Sequence, residues 1–195
     1  MKSKLSMILF VLILGSTLTT ALVSVDYVTK GPIARNKAEK LQKSVLSAFG
    51  IPYTKESIIS ELFPENIKTH ELKEEEKYYE AKSSGDIAFE INGMGLWGPI
   101  KGIVALDENL QKIQGFSIIH QEETPGLGGR IAEPEFLTRF KGINITEGLR
   151  IQSPGKVQAD NEVHVITGAT LSCKALEEIL NDEIKSYVAK IEDSK

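Results

Sequence analysis

The sequence has one cysteine, Cys173, among its 195 residues. A single cysteine excludes an internal disulfide, and it excludes a zinc or iron–sulfur site built from several cysteines of this chain. Basic residues are also few, 23 against 27 acidic ones, which gives a net charge of −4. Because phosphate neutralisation needs a basic face, this balance argues against nucleic acid as a partner.

One long stretch lacks charge altogether, the run of apolar residues from Leu5 to Val25. As a helix it would span roughly 30 Å, the thickness of the hydrocarbon core of a bilayer. Lys2 and Lys4 precede it, which favours a cytoplasmic N-terminus and an exported remainder. We therefore expect a single-pass anchor in the cell inner membrane, with the soluble part on the extracytoplasmic (periplasmic) side. The alternative is a cleaved signal peptide, for which Thr19-Thr20-Ala21 is a poor cleavage site.

The rest of the chain predicts an α+β fold. Three β-like runs, 86–92, 100–106 and 113–120, indicate an antiparallel meander. Apolar residues at helical spacing predict helices over 34–49, 55–63 and 134–140, and a long C-terminal helix after Thr170 that packs on the sheet.

We divide the chain accordingly into an anchor (1–30), a helical connection (31–77) and one domain (78–195). Gly31-Pro32 is expected to interrupt the chain at the exit from the membrane, and Gly50 to end the helix that follows. Residues 64–77, which are polar and rich in charge, are expected to be a solvated connection.

The first of three glycine-containing segments, Gly93–Gly98, matches the letters G-x-G-x-x-G. A dinucleotide-binding fingerprint requires a helix to begin immediately after these glycines, so that its N-terminus receives the pyrophosphate. Here Pro99 and a β-like run follow instead. We therefore reject that interpretation and predict a glycine-rich hairpin or bulge that presents Leu96 and Trp97.

The second segment, Glu123–Arg130, has three glycines in four residues, Gly126, Gly128 and Gly129. Glycines permit backbone conformations in which successive N–H groups form an anion-binding nest, and Arg130 could add a guanidinium fork for phosphate. A flexible surface loop explains the composition equally well, and both interpretations stay open at this point.

The third segment, Thr167-Gly168-Ala169-Thr170, lies between a β-like run and the C-terminal helix. A threonine near a helix N-terminus can cap free N–H groups, and the positive end of the helix dipole favours a phosphate. An ordinary helix cap is the alternative. The three histidines are scattered and form no metal-ligand spacing, and no Ser-His-Asp arrangement is defensible, so we predict neither a metal site nor catalytic residues.

In this order, and behind an apolar N-terminal run, the segments resemble the FMN-binding domain family. It comprises the C subunit of the sodium-translocating NADH:quinone reductase and the G subunit of the Rnf electron-transport complex. The Leu-Trp pair is closer to the quinone-reductase member. The resemblance covers most of the chain and implies the following cofactor-binding residues: Leu96, Trp97, Glu123, Thr124, Gly126, Leu127, Gly128, Thr167, Gly168, Ala169 and Thr170.

The resemblance also implies a function. A flavin transferase would attach FMN from FAD through a phosphoester bond to Thr170, which makes the chain a phosphoprotein. The flavin would carry electrons between other subunits of a membrane-bound, ion-translocating oxidoreductase complex, with the protein supplying position and electrostatics.

One residue departs from the family pattern. An acidic residue usually lies six positions before the acceptor threonine, and here that residue is His164. Two alternatives therefore stay open: FMN bound without a covalent bond, or a binding module of the same fold without cofactor. A third alternative is a secreted, stand-alone flavin carrier, which the signal-peptide interpretation allows.

Overall fold

The structure is a computed structural model that describes residues 2–54, 58–72, 76–153, 155 and 159–193. The chain divides into two compact units, Met1–Lys40 and Leu41–Lys195. The first unit is helical throughout its described part and belongs to α1 (Lys2–Ala48). Its apolar side chains, from Leu5 onward, are exposed. In the described residues one helix, Lys4–Ala48, is long and apolar enough to cross a membrane, a criterion that a signal sequence also meets.

The interruption expected at Gly31-Pro32 is wrong, because α1 continues through Pro32. A proline removes one backbone hydrogen bond, and a long helix keeps those of the turns on either side. The end of α1 is as expected: Gly50 takes a left-handed φ of 68°, and the Ile51 N–H donates to the Leu46 carbonyl over 2.9 Å.

The second unit contains a five-stranded antiparallel meander in which each strand pairs with its neighbour in sequence. Its strands are β1 (Ile67–Glu71), β2 (Lys77–Ala81), β3 (Ile87–Met94), β4 (Pro99–Leu106) and β5 (Ile113–His120). Around the sheet lie α2 (Ile59–Asn66), α3 (Pro134–Leu137) and α4 (Thr170–Glu192), 3-10 turns at Gly128–Ala132 and Thr138–Phe140, and a short parallel pair, β6 (Arg150–Gln152) and β7 (Glu162–His164).

The meander and the long C-terminal helix confirm the predicted fold class. The expectation for residues 64–77 is wrong in part, because Ile67–Glu71 forms β1 and pairs with β2. The strand forms despite its polar composition because only Ile67 is buried, and an edge strand needs no more than that. Residues 55–57 of the predicted second helix lie outside the described residues, and α2 begins at Ile59.

Both faces of the sheet are covered. On one face, Phe89, Ile91 and Val104 pack with α4 in the larger core cluster. On the other face, Ala88 and Ile103 pack with α2 and with the last turns of α1. Because side chains alternate along a strand, burial on both faces explains why β4 is apolar almost without interruption. The sheet therefore fixes the β3–β4 turn and the first residues of α4 relative to each other.

Candidate functional site

The three glycine-containing segments meet around one surface cleft of about 310 Å³. This volume lies at the lower end of the range for small-molecule sites. The cleft is lined by residues of the β3–β4 turn, the loop after β5 and the beginning of α4: Leu96, Trp97, Thr124, Leu127, Gly128, Gly168, Ala169, Thr170, Leu171 and Ser172.

The first wall of the cleft is the turn between β3 and β4. The Gly95 N–H donates to the Gly98 carbonyl over 2.8 Å, which closes a hairpin turn. This confirms the predicted hairpin and the absence of a Rossmann helix. Leu96 and Trp97 are presented to solvent from the turn, and Trp97 is 70% exposed. The sheet thus holds an indole ring at the mouth of the cleft without burying it.

The second wall is the loop that follows β5. Gly126 has a φ of 74°, and the N–H groups of Leu127 and Gly129 both donate to the Thr124 carbonyl, over 3.1 and 3.0 Å. Because these N–H groups are used within the loop, they do not converge as an open anion-binding nest. Arg130 forms an ion pair with Glu133 over 3.3 Å and does not line the cleft. The loop supplies shape, and the exposed Leu127 supplies an apolar surface.

The third wall is the beginning of α4. Gly168 takes a φ of 85°, Ala169 is the buried N-cap residue, and Thr170 is the first helical residue with its side chain exposed. No side chain caps this N-terminus among the described residues. The first backbone bond of the helix runs from the Cys173 N–H to the Ala169 carbonyl, over 2.9 Å. The preceding N–H groups, from Thr170 to Ser172, therefore have no partner within the helix and can receive an anion.

Behind the cleft lies a buried acid, Glu123, of which only 4% is exposed. Its Oε1 accepts a hydrogen bond from the Trp97 N–H over 3.1 Å, and its Oε2 accepts one from the Ser172 hydroxyl over 2.6 Å. Its own N–H donates to Gln121 Oε1 over 2.6 Å. The side chain therefore connects all three walls and is directed into the protein.

Most of the residues predicted for the site line this one cleft. Glu123, Gly126 and Thr167 do not: Glu123 is behind the lining, and the other two lie at the surface beside it. Sequence reasoning missed Leu171 and Ser172. The helical period puts Leu171 on the packed face of the helix, but it is 64% exposed. Only its position directly after Thr170 indicates that Leu171 belongs to the cleft. The first turn of a helix that begins at the surface need not follow the pattern of buried residues in the later turns.

The surroundings of two further residues near the cleft, Cys173 and His164, are also described by the structure. Cys173 is fully buried, and burial raises the pKa of its thiol, with a backbone hydrogen bond at Ile166 opposing the shift. His164, which occupies the usual position of an acid, is exposed on β7, and its carbonyl accepts a hydrogen bond from Arg139 Nη1 over 3.3 Å.

The lining fits FMN part by part. Leu96, Trp97 and Leu127 offer exposed apolar surface for a flat aromatic ring. The uncapped N–H groups of α4 suit a phosphate. At Gly128 a Cβ atom would meet the Ser172 hydroxyl and lie 2.8 Å from Glu123 Oε2, so this wall can pack as it does only because residue 128 has no side chain.

Comparison with known proteins supports the same cofactor. The sequence pattern of the family described as "FMN-binding domain" matches residues 95–185, which contain every lining residue. The similarity to this family covers a little under half of the chain. The match confirms both the family and the cofactor, FMN, that the sequence resemblance implied.

Two relatives illustrate the similarity. The C subunit of the Na(+)-translocating NADH-quinone reductase of Chlamydia trachomatis is 32% identical over 127 residues, which cover 53% of this chain and 39% of that protein. The G subunit of the ion-translocating oxidoreductase complex of Methanosarcina acetivorans is 31% identical over 116 residues, 57% of this chain and 58% of that protein. The chain therefore matches less than two thirds of either relative.

A solved structure shows the same fold. The C subunit of the Na(+)-translocating NADH-quinone reductase from Parabacteroides distasonis superposes with a TM-score of 0.70 at 24% identity. The superposition covers 80% of this chain and 94% of that one. At this identity the likeness concerns the fold.

Proposed function

We propose that the chain is a flavin-carrying electron-transfer subunit of a membrane-bound, ion-translocating oxidoreductase complex of the Rnf or sodium-translocating NADH:quinone reductase type. The observation that carries the proposal is the meeting of three sequence segments around one cleft, with an exposed threonine hydroxyl at the uncapped beginning of α4. The relatives are named as subunits of such complexes, which supports other subunits as the partners of this chain.

We propose further that FMN is attached to Thr170 by a phosphoester bond. The Thr170 hydroxyl is exposed, so a flavin transferase can reach it. Its oxygen forms a bond to the FMN phosphorus of FAD, the pyrophosphate bond breaks, AMP leaves and the hydroxyl proton is released. The free N–H groups of the first turn would receive the anionic phosphodiester, and the helix dipole would stabilise that charge.

The remaining lining residues hold the ring. The isoalloxazine ring supplies the redox chemistry when it is bound, and the chain supplies orientation. Trp97 and Leu96 on one wall and Leu127 on another can pack against flat surfaces of the ring, because all three side chains are exposed at the cleft. The long apolar helix α1 serves as a single-pass anchor in this proposal, and the lysines before it favour an extracytoplasmic domain.

The test is covalent flavin incorporation. When the full chain is co-expressed with a flavin transferase, we expect flavin fluorescence of its band after denaturing electrophoresis and an intact mass increased by one FMN less one water. Thr170→Ala should lose both signals. Thr167→Ser is the matched control, because it keeps the motif and leaves the acceptor in place. Fluorescence that persists in Thr170→Ala would remove Thr170 from the proposal.

His164 motivates a second candidate, FMN bound without a covalent bond. In that case the native chain shows flavin absorbance that is lost on denaturation, and Thr170→Ala retains it. His164→Asp, which restores the usual acid, should then convert the chain to covalent labelling.

A further inference from the structure

We propose that Glu123 is the positioning residue of the cleft: its buried carboxylate fixes the β3–β4 turn and the first turn of α4 to the loop between them, and it places a negative charge behind the flavin. The effect on the flavin rests on the proposed function. The effect on the walls of the cleft does not, and it can be measured without cofactor.

The hydrogen bonds of Glu123 identify this role. Each carboxylate oxygen accepts from a different wall, Oε1 from the Trp97 N–H and Oε2 from the Ser172 hydroxyl. The carboxylate thus uses both of its oxygens as acceptors. The partners are 26 and 49 residues away in sequence, so these bonds are tertiary and not local turn bonds.

Two glycines make room for the side chain. At Gly95 a Cβ atom would meet Glu123 Oε1 and would lie 2.8 Å from Ile100 Cδ1. At Gly128 a Cβ atom would meet the Ser172 hydroxyl and the second oxygen of Glu123. The glycines of two separate segments are therefore both required by the same carboxylate.

Among the described residues, no cation forms an ion pair with Glu123. Two basic residues close to Glu123 in sequence have other partners, since His120 pairs with Glu122 and Arg130 pairs with Glu133. A buried charge that is held by hydrogen bonds alone is not neutralised, and its field acts strongly on groups nearby. The lining residues Trp97 and Ser172 both donate to this carboxylate, so the charge lies directly behind the cleft.

The first test uses the full chain in detergent without flavin. Glu123→Ala removes both bonds, and we expect hydrogen exchange at the backbone N–H of Trp97 to become at least tenfold faster. Glu122→Ala is the matched control. It removes a carboxylate at the neighbouring position, where the side chain is 55% exposed. Exchange at the control rate in Glu123→Ala would overturn the positioning role.

Ser172→Ala covers the case in which Glu123→Ala does not fold. It removes only the bond to α4 and leaves the bond to Trp97. We expect faster exchange at the Cys173 N–H, the first N–H of α4 with a helical partner, with unchanged exchange at Trp97. Unchanged exchange in both places would overturn the proposal.

The second test is a readout that a purely structural role would not move, the reduction potential of the flavin in the loaded chain. Glu123→Gln keeps the size of the side chain and removes its charge. A negative charge disfavours the reduced, more anionic flavin, so the substitution should raise the potential. We expect about a tenfold change in the equilibrium constant, or about 30 mV for a two-electron couple.

Glu122→Gln is again the control, and a potential in Glu123→Gln equal to that of this control would overturn the placement of the charge. The two proposals fail separately. A wild-type chain that takes no flavin contradicts the proposed function, whereas a loaded wild type with an inert Glu123 contradicts only the present inference.

Discussion

Phe89 of β3 and Tyr187 of α4 stack with their ring centroids 4.4 Å apart and their planes 10° from parallel. The stack joins the central part of the sheet to the last turns of the long helix, whose first turn carries Thr170. An offset aromatic pair of this kind adds about 1 kcal/mol beyond the area that it buries. The stack therefore helps to hold α4 against the sheet.

The stack predicts a loss of stability in alkali. Burial, with a smaller effect of Glu76, raises the pKa of Tyr187 to about 12, and burial with Glu90 raises that of Tyr79 to about 12. Because the folded chain favours the protonated phenol, this contribution to stability is complete below pH 10. It is lost as the pH rises through 12. Each phenol thus removes up to about 3 kcal/mol from the free energy of unfolding.

Urea unfolding of the full chain in detergent at pH 8 and at pH 11.5 measures this change. Tyr187→Phe keeps the aromatic stack and should lose about half of the pH dependence. Tyr27→Phe, on the exposed part of α1, is the control. Equal pH dependence in the two variants would contradict the role of Tyr187.

Gly115 predicts a second stability effect. A Cβ atom at this position of β5 would meet the carbonyl oxygen of Ala48, at the end of α1. Backbone cannot give way as a side-chain end can, so Gly115→Ala should reduce the free energy of unfolding by about 2–3 kcal/mol. Gly129→Ala is the control, since its nearest neighbour is the flexible end of Gln121 at 3.3 Å. Comparable losses in both variants would show that the contact with Ala48 is not tight.

Trp97 is the only tryptophan of the chain, and its side chain is exposed at the cleft. The chain without flavin should therefore show the emission of a solvated indole, and loading with FMN should quench it. Trp97→Ala should change the free energy of unfolding by less than about 0.5 kcal/mol, as exposed substitutions do. If the intact mass reports bound FMN while the emission is unchanged, Trp97 does not contact the ring.

Cys173 predicts a difference in reactivity between the folded and the unfolded chain. Because the thiolate is the reactive form, burial that raises the pKa of the thiol protects it. At pH 8 we expect alkylation to be slower in the folded chain than in urea, because burial lowers the thiolate fraction and blocks access to the sulfur. Similar rates in both conditions would mean that the beginning of α4 opens readily.

The sequence predicted the parts of the molecule that depend on local patterns. The alternation of Ile87, Phe89 and Ile91 predicted the strand that faces α4, and the bounds of β5 were predicted as observed. The start of the last helix near Thr170 was predictable because a β-like run, a glycine and a long apolar period surround it. Such signals lie within a few residues of the position they describe.

The parts that the sequence did not reveal depend on distant partners. The sequence around Glu123 does not indicate that its carboxylate is buried, because the partners of the carboxylate come from the β3–β4 turn and from α4. In the loop that contains Gly126, N–H groups donate to a carbonyl of the same loop. The glycine content alone does not distinguish this conformation from an open anion-binding nest. The strand β1 was missed because four of its five residues are polar.

The order of the strands has a consequence for how the protein matures. Every pairing in the meander joins neighbours in sequence, so the sheet has low contact order and can fold from local encounters. The cleft needs a bond between residues 123 and 172, which the chain can make only after the last helix has been synthesised and docked. Under the proposed function, cofactor attachment would therefore be a late event on a finished domain, because a chain without its last helix can build the sheet but lacks Thr170.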